Sequence, residues 1–206
     1  MTTAVRERPI LFSGPMVRAI LEGRKTQTRR PIKVDDIYTT VDDTDGKPFA
    51  WQSDECGDWY EMPCPYGKPG DLLWVRETWQ IFRVYEDTWN GGYEADLWDG
   101  PIPRERPNHA WITYAVDDPG GRPWRPSIHM PRWASRITLR VTGVWIERLC
   151  EITTADAESE GFSPIYYGSA VSAIEPFADA WNAMYSKRGL GWSDNPWVWV
   201  VEFEKD

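Results

Sequence analysis

The sequence has few of the residues that build metal and disulfide sites: of 206 residues, two are histidine and three are cysteine. His109 and His129 are too few for a histidine-rich metal centre, and Cys56, Cys64 and Cys150 lack the spacing of a zinc site. We predict reduced thiols of the kind found in the cytosol. No apolar run reaches the roughly 18 residues of a membrane helix, and the N-terminal residues lack the apolar stretch of a signal peptide. We therefore expect a cytoplasmic protein with no metal, no cofactor and no membrane contact.

The glycine-rich phosphate-binding motifs are also missing. Neither the P-loop pattern nor the dinucleotide-binding G-x-G-x-x-G pattern occurs, so nucleotide triphosphate and dinucleotide chemistry are poorly supported. Two features are abundant instead: 14 tryptophans and an excess of acids that gives a net charge of −9. A uniformly acidic protein is expected to avoid nucleic acids.

The charge is not uniform, however. Residues 1–34 contain eight Lys and Arg against two acids, and residues 122–148 contain six against one. If these two basic segments meet in the fold, they form a local positive site that the net charge conceals. Such a site suits a small anionic or polar ligand in a cleft, or a short piece of RNA. The alternative is ordinary surface charge.

Hydrophobic patterning and capping residues predict an α+β fold made mainly of short strands. The stretch 35–67 is acidic and rich in Asp, Gly and Pro, which predicts an inserted loop region, and residues 86–109 and 117–131 are predicted loops. A single domain over residues 1–206, built as a small mixed β-barrel with short helices at its ends, fits this order best. The predicted strands are 9–12, 72–79 with a continuation over 80–85, 110–116, 136–147 and 197–203, and the predicted helices are 14–22, a short one between Thr153 and Gly161, and 176–188.

The segment GRKTQTRR (23–30) is the most informative stretch for chemistry. A lysine acts as a base only when its pKa falls, and neighbouring arginines together with burial lower the pKa of Lys25. A threonine hydroxyl next to a neutral amine is a plausible nucleophile for acyl transfer, which singles out Thr28. Three residues of separation put the two on opposite faces of a regular strand, so they converge only if the chain turns between them. The alternatives are a basic turn that binds phosphate, or solvated charge.

Glu160 is the second candidate. It stands in the last turn predicted for a short helix, just before Gly161, where the negative end of the helix dipole disfavours a carboxylate. That position suits a proton donor or shuttle. The alternative is a solvent-facing glutamate.

Aromatic and polar residues near two strands are the third group of candidates. Trp74, Glu77 and Trp79 lie in the segment WVRETW, and Arg132 and Trp133 lie in a loop ahead of a strand. Aromatic rings and guanidinium groups of this kind hold unstacked bases.

Five segments that occur in order make the chain resemble the ASCH family, a branch of the PUA-like β-barrels. They are ILFSGPMVRAILEGRKTQTRR (10–30), KPGDLLWVRETW (68–79), MPRWASRITLRVTGVWIERL (130–149), DAESEG (156–161) and WVWVVEF (197–203). The layout is similar to that of bacteriophage-encoded members, and relative to the small enzymes of the family it implies long loop insertions near 35–67, 86–128 and 162–195.

The resemblance implies a barrel of five to six strands with a cleft for a base or nucleoside. Small bacterial members are amidohydrolases that remove the acyl group from N4-acetylcytidine with a Lys, a Thr three residues later and a Glu on a later helix. These match Lys25, Thr28 and Glu160, and the arginine of the same motif matches Arg30. The expected catalytic set is therefore Lys25, Thr28 and Glu160, with Arg30 binding the developing oxyanion and Trp74, Glu77, Trp79, Arg132 and Trp133 gripping the base. The alternatives are a non-catalytic module that binds RNA or a modified base, and a phage accessory protein.

Overall fold

The computed structural model describes residues 4–32, 39–42, 49–53, 59–87, 92–98, 100–118, 120, 123–167 and 170–206. Thirteen strands and three α-helices lie within these ranges. The helices are α1 (Gly14–Leu21), α2 (Thr154–Ser159) and α3 (Ile174–Tyr185). The strands are β1 (Glu7–Leu11), β2 (Gln27–Pro31), β3 (Thr39–Asp42), β4 (Phe49–Ser53), β5 (Trp59–Glu61), β6 (Leu72–Arg76), β7 (Trp79–Asp87), β8 (Gly92–Leu97), β9 (Ala110–Tyr114), β10 (Thr138–Arg148), β11 (Ile165–Tyr167), β12 (Ala170–Ser172) and β13 (Trp197–Lys205).

A five-stranded mixed sheet is the centre of the fold. Its strand order is β1-β6-β10-β13-β2, with β1 parallel to β6 and the other neighbours antiparallel. The register places Thr28 opposite Val201 and Arg30 opposite Trp199. Because side chains alternate along a strand, Thr28 and Arg30 share the face that carries Val201 and Trp199.

That face carries the main hydrophobic core. Alternate residues of the sheet and the apolar side of α1 pack together there, and the buried set is Ile10, Phe12, Val17, Ile20, Leu73, Val75, Ile137, Leu139, Val141, Val201 and Phe203. The opposite face of β13 contacts the helices through Val198 and Val200, which pack with Phe177 and Trp181 of α3. Burial of an apolar surface on both faces explains the continuous apolar run WVWVV.

The expected closed barrel is corrected by the sheet topology. Within the described residues the backbone ladder ends at β1 and at β2, so the sheet is mixed and open. A side chain joins the two edge strands instead: the Nη2 atom of Arg30 donates a hydrogen bond to the Leu11 carbonyl at 2.7 Å. Along the chain, helix α1 connects these two edge strands.

The observed helices lie close to the predicted ones, because residues near the helix ends mark where each begins and stops. Pro15 stands in the first turn of α1, and Gly23 follows its end with φ +75°. In α2, Thr153 and Asp156 form a reciprocal capping box, as predicted, and Gly161 follows with φ +95°. Helix α3 begins and ends earlier than predicted, and a short 3₁₀ turn (Ser186–Arg188) continues it.

The insertions contain more strands than the predicted 110–116, which corrects the expectation of loops. Strands β3, β4 and β5 form one antiparallel sheet within 35–67, and β7 pairs with β8 and with the predicted strand β9 in another. A third segment, 162–195, holds the β11–β12 hairpin in addition to α3. Sequences such as GYEADL carry residues that single strands disfavour, so pairing with a partner strand outweighed local propensity.

Candidate functional site

Lys25 lies where the chain leaves α1 and enters β2. Its backbone N–H donates to the Ala19 carbonyl at 3.1 Å, and the next residue, Thr26, donates to the Ser159 carbonyl at 2.8 Å. These bonds hold the residues between α1 and β2 against the end of α2. Lys25 therefore lies beside the C-terminal end of α2.

The amine of Lys25 is completely buried and makes three hydrogen bonds. Its Nζ donates to the carbonyl oxygens of Gln27 at 2.7 Å and Glu160 at 2.9 Å. The third bond goes to Oε2 of Glu160 at 2.6 Å, which makes a buried ion pair. Since an ammonium has three protons to donate, this geometry belongs to the charged form of Lys25.

Several influences act on the protonation of Lys25. Burial, the strongest, lowers the pKa of this amine below its ordinary value; Glu160 raises it, and the nearby charges of Arg30 and Arg29 lower it again. The net direction is downward, as the arginine-rich motif predicted. A lysine of this kind can lose its proton at a lower pH than a solvent-exposed one.

Glu160 is the C-cap residue of α2, and it contacts Lys25 from the end of that helix. The residue is only 2% exposed, in contrast to the solvent-facing alternative. Its second carboxylate oxygen, Oε1, lies 3.5 Å from Nη1 of Arg29. The two oxygens are thus divided between two cations, both of which come from the GRKTQTRR segment.

Thr28 is buried on the other face of β2. Gln27 and Arg29 contact each other on the α2 side at 2.9 Å, so alternation directs Thr28 toward the core face. Among the described residues no hydrogen bond joins its hydroxyl to Lys25 or Glu160. The link between the two faces is the ring of Phe12: its centroid is 5.5 Å from Nζ of Lys25 and 5.3 Å from Cζ of Arg30.

The five residues expected to grip a base lie away from the Lys25 amine in separate environments. Trp79 is fully buried in a second core, where it packs edge-on against Trp133. Trp74 is buried under the guanidinium of Arg76. Glu77 forms a two-point ion pair with Arg136, and Arg132 pairs with Glu7 at the surface. These contacts give all five a packing or ion-pair role.

Four residues of the site were not among the sequence candidates: Phe12, Gln27, Arg29 and Glu147. Glu147 approaches Arg29 from β10, with its Oε1 2.7 Å from Nε of Arg29. The alternation of β2 could have separated Arg29 from Arg30, because one of the two had to face the helices. Nothing local to Phe12 or Glu147 pointed to this site.

Within the described residues, Cys64, Cys150 and the two histidines make no hydrogen bond or ion pair with Lys25 or Glu160. Cys64 is partly buried and Cys150 is exposed, and both are free, whereas Cys56 lies outside the described residues. Burial raises the pKa of the Cys64 thiol to about 11. Over the described ranges no group of three or more His, Cys, Asp or Glu side chains is arranged to hold a metal ion.

Comparison with known proteins returned no matching family model, no matching curated protein and no matching solved structure. No helix in the described part of the chain has both the length and the apolar character needed to cross a membrane.

Proposed function

We propose that this protein is an amidohydrolase that removes the acyl group from N4-acylated cytosine nucleosides or bases, such as N4-acetylcytidine. The observation that carries the proposal is the buried contact of 2.6 Å between Nζ of Lys25 and Oε2 of Glu160, which are 135 positions apart. These are two of the three residues that the ASCH resemblance pairs. Because of the same resemblance, we propose that the open sheet is of the PUA-like type, with Arg30 bridging its edge strands.

The first step is a proton transfer inside the buried pair. A proton moves from Nζ of Lys25 to Oε2 of Glu160, because burial favours the neutral form of the Lys25 amine. When the packing around the site opens and brings the Thr28 hydroxyl within reach, the neutral amine turns its lone pair from Glu160 to that hydroxyl and takes its proton. The Thr28 oxygen attacks the acyl carbon, and Arg30 with nearby backbone N–H groups stabilises the oxyanion.

Collapse of this intermediate breaks the bond between the acyl carbon and N4. The ammonium of Lys25 donates its proton to the leaving amine, which frees the cytosine. Water, deprotonated by the same amine, then attacks the ester on Thr28; the ammonium returns that proton to the Thr28 oxygen as the carboxylic acid leaves, and the proton held by Glu160 goes back to Lys25. Attack by Lys25 itself, or by a water that it activates, are the competing routes; an acyl group trapped on Thr28 and detected by mass spectrometry selects the first.

A substrate must be able to reach the three buried catalytic residues. Lys25, Thr28 and Glu160 are each only 2% exposed. A substrate therefore reaches them only when the packing around them opens. A closed site of this kind excludes water once the substrate is inside, which strengthens the electrostatic contacts.

The test is incubation of the protein with N4-acetylcytidine and chromatography for cytidine. Lys25→Arg keeps the charge but cannot act as a base, so we expect its rate to fall about 100- to 10,000-fold. Thr28→Val is expected to abolish turnover, whereas Thr28→Ser retains part of it. Thr26→Val is the matched control, since Thr26 is an exposed hydroxyl on the same segment. Full activity in Lys25→Arg would reject the mechanism.

A second candidate is a module that binds RNA or a modified base without turnover. The observation in its favour is that all three protons of the Lys25 ammonium already have acceptors, so the amine can serve only to hold α2 on β2. In that case no cytidine appears with any acylated cytosine. Binding of a short RNA weakens as salt rises, and it weakens further in Arg30→Gln.

A further inference from the structure

Arg29 is a buried cation that the proposed catalytic set does not include. Its side chain is 0% exposed and faces α2. Nε donates to Oε1 of Glu147 at 2.7 Å, and Nη1 donates to Oε1 of Gln27 at 2.9 Å. It also lies 3.5 Å from Glu160 and 3.7 Å from Asp156. Three carboxylates from two elements thus surround one guanidinium.

The contact with Glu160 has a consequence for geometry. Glu147, which is itself mostly buried, already provides a close countercharge for Arg29. Nη1 of Arg29 contacts Oε1 of Glu160, which leaves the other oxygen, Oε2, directed at Lys25. Because the planar guanidinium is itself fixed at Glu147 and Gln27, rotation of the Glu160 carboxylate would cost this contact.

We infer that Arg29 is a positioning residue that holds the Glu160 carboxylate with one oxygen turned toward the Lys25 amine. The inference rests on the proposed function for its catalytic meaning, although its geometric part stands alone. Arg29 acts on the reaction through Glu160 and touches no substrate. Glu147 fixes Arg29 in turn, so a residue of β10 takes part in the arrangement.

The charges around Lys25 give the inference a measurable sign. Glu160 faces the amine from α2, Arg29 and Arg30 face it from β2, and the Phe12 ring faces it from the end of β1. Glu160 raises the pKa of Lys25, so turning its oxygen away from the amine moves the Lys25 pKa down. Removing the positive charge of Arg29 while Glu160 stays in place has the opposite effect, so the two roles of Arg29 are distinguishable.

The experiment follows the titration of Lys25 by NMR in protein labelled with ¹³C at the lysine Cε, with Lys25→Arg identifying the resonance. In Arg29→Lys, which keeps the positive charge but not the planar fork, we expect the midpoint to move to lower pH as Glu160 turns away from the amine, and the acidic limb of kcat/KM for N4-acetylcytidine to move with it. We also expect a loss in kcat of about 100-fold, the effect of a misplaced catalytic group. In Glu147→Gln the midpoint is expected to move to lower pH.

Arg24→Lys is the matched control, because Arg24 is an exposed arginine of the same segment that pairs with Glu22; its midpoint is expected to stay in place. If Arg29→Lys does not fold, Glu147→Gln decides the question alone. An unmoved or raised midpoint in the folded Arg29→Lys protein, or in Glu147→Gln, overturns the inference. If the midpoints move as expected but no variant, nor the wild type, releases cytidine, the proposed function fails and the positioning role stands.

Discussion

Substituting both members of the buried ion pair should harm the protein less than substituting Lys25 alone. Lys25→Met removes the cation that contacts Oε2 of Glu160 at 2.6 Å. The carboxylate then remains in a site that is 2% exposed, with only Arg29 at 3.5 Å. Adding Glu160→Gln removes the stranded charge while keeping nearly the same volume.

The expected magnitudes follow from the environment of each group. Breaking a buried pair by removing one partner costs about 3–5 kcal/mol, and the contact with Arg29 places Lys25→Met near the lower end, at about 3 kcal/mol. Glu160→Gln alone should cost about 1–2 kcal/mol, since Nζ keeps both of its carbonyl acceptors. The double variant should recover roughly 1 kcal/mol or more relative to Lys25→Met.

The assay is urea unfolding followed by tryptophan fluorescence, with the free energy of unfolding compared across the four proteins of the cycle. A domain of ordinary stability, about 5–15 kcal/mol, tolerates these losses at low temperature. The surface pair Arg24–Glu22 supplies the control cycle, in which the coupling should be close to zero. Strictly additive losses at Lys25 and Glu160 would refute the reasoning, because they would mean that neither charge depends on the other.

Three further comparisons use the same unfolding measurement, two of them with a matched control substitution. Gly161→Ala should cost about 2–4 kcal/mol, because φ is +95° and the new Cβ would lie 2.8 Å from a Cβ of α1. Gly189→Ala, with φ +69° and no atom within 4 Å, should cost only about 1–2 kcal/mol. Equal losses in the two variants would contradict the contact at Gly161. Glu77→Gln should cost about 3 kcal/mol, and the exposed Glu7→Gln about 0.5 kcal/mol or less, since each removes one partner of an arginine pair but only Glu77 is buried. Burial opposes ionisation of Asp156, but hydrogen bonds from Thr153 and the charge of Arg29 outweigh it and lower its pKa. The Asp156 carboxylate therefore stabilises the fold at pH values above its unfolded-state pKa of about 3.9, and this effect is lost as pH falls through the native pKa. The cost of Asp156→Asn, about 1 kcal/mol at pH 7, should shrink toward pH 2. A cost that does not change with pH would show that the charge of Asp156 is irrelevant.

Prediction from sequence worked where the determinants were neighbours in the chain. The capping box of Thr153 and Asp156, the apolar face of α1 and the glycine that ends each of these helices act within a few residues, so their signal survives without tertiary context. The same holds for the long alternating strand β10 and the apolar strand β13. In the insertions, partner strands lie in separate weak segments, and neither segment alone favours a strand.

The site divides along the same line. The order of residues along the chain already places an amine, a hydroxyl and three arginines in one short segment after a helix, and a glutamate at the end of another helix. The fold adds that this glutamate contacts the amine, that Arg29 rather than Arg30 contacts the glutamate, and that Trp74 and Trp79 are buried in packed surroundings. The reason is that alternation along β2 assigns opposite faces to adjacent residues, but which face meets α2 depends on the sheet order, and sheet order is set by burial summed over distant strands.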